Sequence, residues 1–412
     1  MAASASMHGD SRWLLPDGVD EIVPPFAAEV ERLRRRVIDT MTGWGYRLCM
    51  PPLVEFLDSL LSGLGEDLEL QTFKLIDQLS GRLMGIPADM TPQVARIDAH
   101  RLPTELPQRL CYIGPVLHTR PDKFAGSRNP LQVGAELYGH AGIESDVEVI
   151  CLLLETLASA GIDDVTLELG HMAVFKGLAD AAQLDAAGRA RVLDALLLKS
   201  PDELDAACRE AGIARAAAGW LRALLAHNGG PEILAAAAHS LAAAPAEVRA
   251  ALAEFEALIA LLRRRCPRLD VHVDLAELRG YHYHTGVMFA AYTPRVGRAI
   301  ARGGRYDDIG RQFGGVQSGR PRPATGFSTD LKLLAALATG VPAAAAIFAP
   351  AGSEPDLLAA IAAARAAGET VIQCLPGQVG GGRELGCTRE LRRVGDAWQV
   401  VDLAAAAPAT PG

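Results

Sequence analysis

The stretch Asp274 to Phe289, DLAELRGYHYHTGVMF, constrains this chain more than any other. Just upstream, Val271, Val273 and Leu275 alternate with His272 and Asp274, the period of a strand with one buried face. Continued at that period, Arg279, Tyr281 and Tyr283 share one face and Gly280, His282 and His284 the other. A guanidinium is the natural partner of a carboxylate. Aromatic hydroxyls and imidazoles orient a small polar ligand, and a glycine in a strand lets something approach the backbone. The plainer reading is a half-exposed strand with ordinary polar residues, and the stretch alone weighs both equally.

The rest of the chain narrows the choice. Its 412 residues, 50% hydrophobic and 22% charged, suffice for two or three domains around a sizeable core. A net charge of -9 and a pI near 5.6 argue against a nucleic-acid partner. The seven cysteines are scattered, without CxxC or Cys/His metal spacing, which suits a reducing cytoplasm and not a structural zinc. The first residues show no signal peptide, and no uncharged apolar run is long enough for a membrane span. A cytoplasmic protein without membrane attachment is expected.

In chain order, residues 1–11 read as a flexible tail, and Leu14 to Gly18 as a turn. A helix is expected over Phe26 to Gly43, with Val30, Leu33, Val37 and Met41 on one apolar stripe and Arg34 to Arg36 on a wet face. A short strand follows, closed by Pro51 and Pro52. Thr72 to Ile86 reads as a hairpin turning at Ser80 and Gly81. Asp89 or Thr91 is placed to cap a helix starting near Pro92. Two strands follow, Arg109 to Leu117 and Pro130 to Tyr138, separated by a polar loop. Gln132, Gly134 and Glu136 share a face of the second, and such polar groups inside a sheet need partners or a ligand. A helix from Glu144 to Ala160 and a strand from Asp164 to Leu169 come next. Residues 171–267 shift to alanine and leucine at helical spacing, an inserted helical subdomain with no chemistry of its own. Strands resume at Asp270, over Thr285 to Ala291 and over Ala299 to Ala301, before a helix from Thr329 to Ala338. From Pro342 a small α/β unit is expected: strand Ala344 to Ala349, helix Pro355 to Ala367, strand Thr370 to Leu375. The division is therefore a core over 12–340, a small α/β domain over 341–402, and a disordered tail over 403–412. The fold class is α+β, a mixed and mostly antiparallel sheet flanked by helices.

The elements and short motifs together resemble the class II aminoacyl-tRNA synthetases, and within them histidyl-tRNA synthetase over roughly residues 12–337. The resemblance rests on helix–strand–proline and strand–loop–strand units, YIGP at 112–115, the Gln132/Glu136 pair, LRGYHYHTG at 278–286, and GGRYDD at 303–308 with GG at 314–315. The family has LVRGLDYYTG and GGRYDGL at the last two places. Position by position, the resemblance implies a histidine pocket. Asp89, Thr91 and Gln132 hold the amino group, Glu136 faces the imidazole, and Arg279 grips the carboxylate. Tyr283 and His284 stand where the family has two tyrosines, and Arg128 matches an arginine of the motif 2 loop.

The resemblance breaks at adenylation. His118 takes the place of the motif 2 arginine that holds the α-phosphate, and the glutamate that follows it is missing. Leu333 takes the place of the motif 3 arginine, and Lys332 lies about 100° away around the helix. Nucleotidyl transfer depends on such positioned cations. A synthetase-like body with an amino-acid pocket and no phosphate clamps resembles the regulatory subunits of short-form ATP phosphoribosyltransferase, in the first step of histidine biosynthesis. That resemblance implies a non-catalytic protein without cofactor, binding L-histidine. It also implies a homodimer within a hetero-octamer with the catalytic subunit, and no tRNA partner. The alternatives are a divergent active histidyl-tRNA ligase and a histidine-binding module with another partner.

Overall fold

The computed structural model describes residues 13–61, 66–120, 127–280, 284–308, 322–338 and 346–403. The tail expected at 1–11, and all of the C-terminal tail but Leu403, lie outside them. The chain divides into two compact units, Met1–Thr339 and Gly340–Gly412.

The first helix spans Phe26–Gly43, as its spacing predicts, and Gly45 ends it in the left-handed region at φ +83°. Val30, Leu33, Val37 and Met41 are at most 5% exposed, because the stripe packs into the same core as Val147, Ile150 and Leu153 of the helix Ile143–Ser159. The stripe is thus consumed inside the chain and is not available to a second subunit.

The strands of the first unit are β1 (Arg47–Cys49), β2 (Glu55–Phe56), β3 (Phe73–Ile76), β4 (Leu83–Ile86), β5 (Gln108–Pro115), β6 (Leu131–Tyr138), β7 (Thr166–His171), β8 (Asn228–Gly229), β9 (Asp270–Asp274), β10 (Val287–Thr293), β11 (Val296–Arg305) and β12 (Ala324–Asp330). Among the described residues, nine form one sheet in the order β1-β5-β6-β12-β11-β10-β7-β9-β8. Its pairings are antiparallel except β1 with β5 and β7 with β9. β2, β4 and β3 make a separate small sheet.

Period-two alternation gives the large sheet two faces. Cys111, Val133, Ala135, Leu169, Ala301 and Phe327 join the core shared with the helices. The register puts Tyr112 opposite Gly134, Glu136 opposite Gly326, and Gly326 opposite Gly304 on the other face. That second face carries the site.

The strand expected to run through Leu275 to His284 stops at Asp274. The Asp274 carboxylate accepts the Ala276 N–H at 2.9 Å, Gly280 sits at φ +83°, and the His284 N–H bonds the Gly280 carbonyl at 3.0 Å. Side-chain capture of the backbone turns the chain where alternation alone predicts continuation. Tyr281, His282 and Tyr283 lie outside the described residues.

The insertion is helical, from Met172–Ala181 to Ala246–Arg265. Ser200 caps the helix Pro201–Glu210 through the Glu203 N–H. In the second unit, β13 (Ala346–Ala349), β14 (Val371–Gln373), β15 (Cys387–Val394) and β16 (Ala397–Asp402) form a sheet in the order β14-β13-β15-β16. The helix Pro355–Ala366 buries Leu357 and Ile361 against it. The β15–β16 hairpin is absent from the sequence reading, since its RELRRV run lacks apolar alternation. No helix among the described residues is long and apolar enough to cross a membrane.

Candidate functional site

Glu136 forms the floor of a cavity of about 460 Å³ bordered by Asp89, Thr91, Arg279 and His284. It is 1% exposed. Its carboxylate accepts hydrogen bonds from the Tyr112 hydroxyl at 3.0 Å, the Thr91 hydroxyl at 3.1 Å and the Tyr306 hydroxyl. Burial pushes its pKa up to about 8; the nearby Asp89 charge adds to this, and the hydroxyl donors oppose it. Glycine makes room for this group. A Cβ at Gly326 would lie 1.5 Å from Glu136 Oε2, and one at Gly134 would lie 2.4 Å from the Tyr112 hydroxyl.

Asp89 accepts the Thr91 N–H at 2.9 Å and the Gln132 amide at 2.8 Å, while Gln132 Oε1 takes the Met90 N–H at 2.8 Å. Neither Asp89 nor Thr91 is the cap residue of the helix Thr91–Arg101, whose N-cap is Met90. The structure therefore brings Asp89, Thr91, Gln132 and Glu136 together from two elements. Arg279, with its side chain 56% exposed, borders the cavity and lies 3.6 Å from Glu277. Its carboxylate neighbour is thus Glu277 and not Glu136. The His284 ring covers Gly304 and Gly280, where an added Cβ would meet it at 2.5 and 2.6 Å. Desolvation pushes its pKa down to about 4, so the ring is neutral near pH 7. Lys176 of the insertion holds the His284 carbonyl at 2.8 Å.

Arg128 is not brought to this cavity. Its guanidinium donates to the His118 and Asp17 carbonyls at 2.9 and 3.0 Å and lies over the Phe73 ring. Tyr283 lies outside the described residues. Sequence patterning does not single out Tyr112, Tyr306 and Gly326, although YIGP and GGRYDD contain the two tyrosines. Nor is the insertion a bystander, since Leu193, Asp194 and Leu197 wall the cavity. Arg305 of GGRYDD is a brace: it bonds Asp146, Ser145, Asp307 and the carbonyls of His140 and Gly142.

A second cavity of about 670 Å³ adjoins the first on the same sheet face, sharing Asp89, Arg279 and Arg302. His118 and Leu333 stand in its wall where the synthetase motifs place arginines. The His118 ring bonds the Ala88 carbonyl at 2.9 Å. Lys332, 8% exposed, turns to Asp20 at 3.0 Å and to Ser127 at 3.3 Å. Each side chain at or beside the two clamp positions is either apolar or already engaged.

Residues 18–334 match the family model described as histidyl-tRNA synthetase, and residues 344–401 match that of the ATP phosphoribosyltransferase subunit HisZ C-terminal domain. A protein of Alkalilimnicola ehrlichii named ATP phosphoribosyltransferase regulatory subunit is 55% identical over 95% of this chain and 97% of its own. One of the same name from Thioalkalivibrio sulfidiphilus is 52% identical over 96% of this chain and 100% of its own. Among solved structures, an ATP phosphoribosyltransferase regulatory subunit/histidyl-tRNA synthetase from Bacillus halodurans superposes with a TM-score of 0.77 at 26% identity, over 91% of this chain and 96% of that one. A histidyl-tRNA synthetase from Nostoc shares the fold, with a TM-score of 0.74 at 19% identity over 92% of this chain and 91% of that one.

Proposed function

Because the chain belongs to the ATP phosphoribosyltransferase regulatory subunits, built on the histidyl-tRNA synthetase fold, we propose that its Glu136 cavity binds L-histidine and that this binding carries feedback on the transferase. The chain acts as the regulatory subunit in the first step of histidine biosynthesis. It activates the short catalytic subunit and makes no histidyl adenylate of its own.

One observation carries this reading: a cavity lined by Asp89, Thr91, Glu136 and Arg279 stands beside clamp positions held by His118 and Leu333. The acids suit an ammonium and an imidazole, and Arg279 suits a carboxylate. Gln132 orients Asp89 and does not line the Glu136 cavity. Without cations at these two motif positions, nucleotidyl transfer from ATP lacks the clamps that stabilise its developing charge. The ligase reading therefore has no cation at either motif position.

The chain forms a homodimer within the hetero-octamer, in the cytoplasm. Its dimer surface is the apolar edge at and after β1, where Leu48, Met50, Leu53 and Val54 are exposed. The direct test pairs calorimetry with histidine and an ATP–pyrophosphate exchange assay. Histidine binding without exchange above background is expected. Exchange at ordinary synthetase rates would restore the ligase.

A further inference from the structure

We propose that the second cavity is an anion subsite for a small molecule carrying a diphosphate-type group, built by Arg298 and Arg302 of β11 together with Arg279. All three side chains border the cavity. Arg298, Ile300 and Arg302 alternate onto the face that carries Glu136, and Arg302 sits opposite Ser328. Among the described residues, neither Arg298 nor Arg302 makes an ion pair or a side-chain hydrogen bond. The nearby carboxylates do not neutralise them by direct contact. Asp330 accepts the N–H groups of Leu131 and Lys332 at 3.1 and 3.0 Å, and Asp89 serves Thr91 and Gln132.

Guanidinium forks are made for phosphate oxygens, which they hold bidentately. Four residues along a strand separate the two Cα atoms by about 13 Å, so long side chains from both ends reach one ligand between them. A single carboxylate satisfies one such fork, whereas two forks plus Arg279 call for a ligand with several negative oxygens. The cavity volume is that of a small-molecule site. This subsite differs from an adenylation clamp, because its cations stand on β11 and not at His118 or Leu333. It therefore binds without transferring a nucleotidyl group. Arg279 and Arg302 border both cavities, so anion occupancy and histidine occupancy are coupled.

The test uses the full chain and pyrophosphate as probe, with isothermal calorimetry at low and at about 0.5 M salt. Wild type should bind pyrophosphate, with affinity falling steeply as salt rises. The pair Arg298→Ser and Arg302→Ser should lose at least tenfold in affinity. The pair Arg298→Lys and Arg302→Lys, which keeps charge and bulk, should lose less and serves if the serine pair does not fold. Arg298→Ser alone should leave histidine affinity unchanged, which separates this subsite from the histidine reading. No pyrophosphate binding to wild type, or equal affinity in the serine and lysine pairs, would overturn the proposal even where histidine still binds.

Discussion

Glu136 is a buried carboxyl whose protonation differs between the folded and unfolded chain. Its pKa is about 8 when folded, against an ordinary carboxyl value of 4.5. The native state therefore holds a proton that the unfolded state loses above about pH 4.5. Stability falls as pH rises from there to about 8, then levels. Replacing Glu136 by Gln removes that limb. The melting-temperature difference between variant and wild type should move in the variant's favour from about pH 5 to about pH 8; a difference constant with pH would contradict the assignment. His171 and His284 act in the opposite sense, both held neutral by burial at pKa values of about 4. Their contribution is present above the ordinary imidazole value of about 6.5 and is lost as pH falls toward about 4.

If histidine binds as proposed, the same carboxyl sets the pH dependence of that binding. On the proposed histidine site, a bound imidazole and Glu136 would share one proton. Below about pH 6.5 the free partners hold two protons between them, so binding releases one; above about pH 8 they hold none, so binding takes one up. Affinity should therefore peak between about pH 6.5 and 8, and Glu136→Gln should flatten the alkaline side. Calorimetry that finds affinity still rising at about pH 9 would count against the shared proton. Arg279→Ala removes the proposed carboxylate clamp. Because Arg279 is half open to water, the expected cost is about 2 kcal/mol, roughly thirtyfold in affinity. Unchanged binding would return Arg279 to a merely structural part beside Glu277.

At the scale of elements, the site is a glycine-cleared patch of sheet. Gly134, Gly326 and Gly304 leave space on three neighbouring strands, filled by the Tyr112 hydroxyl, the Glu136 carboxyl and the His284 ring respectively. Gly326→Ala should cost about 3 kcal/mol in urea unfolding, since its Cβ overlaps Glu136. Gly297→Ala, with nothing within 4 Å, should change stability by less than about 0.5 kcal/mol. Equal effects at the two positions would show that the patch yields easily.

Periodicity made some of this legible. The opening helix follows from Val30, Leu33, Val37 and Met41, and the Gln132/Glu136 pair marked β6 as unusual. The rest was hidden for physical reasons. The end of β9 depends on one side-chain bond of Asp274, which leaves period two intact in the sequence. The Tyr306–Glu136 contact spans 170 residues, and only strand register joins them. The insertion's wall residues read as ordinary helix, because their role arises from where the helix Ala186–Leu197 lands. Lys199 fixes that landing: its ammonium bonds the buried Asp274 at 2.5 Å.

At the scale of the molecule, the first helix's stripe is buried, and the proposed dimer contact is the exposed β1 edge. Met50 is 73% exposed there and Leu53 55%. Carboxylates in their place, Met50→Asp with Leu53→Asp, should convert a dimer to monomers in light scattering at micromolar concentration. A monomeric wild type, or a variant that remains dimeric, would remove this edge from the interface. The assembly matters because feedback requires histidine to bind one subunit and alter another, and such coupling is a difference in affinity between two states. The most direct measurement is the transferase rate of a short-form catalytic subunit, taken with and without this chain while histidine is titrated. The account predicts a higher rate on mixing, inhibition by histidine, and an inhibition curve shifted to higher histidine concentration by Arg279→Ala. A rate unchanged by the chain would contradict it.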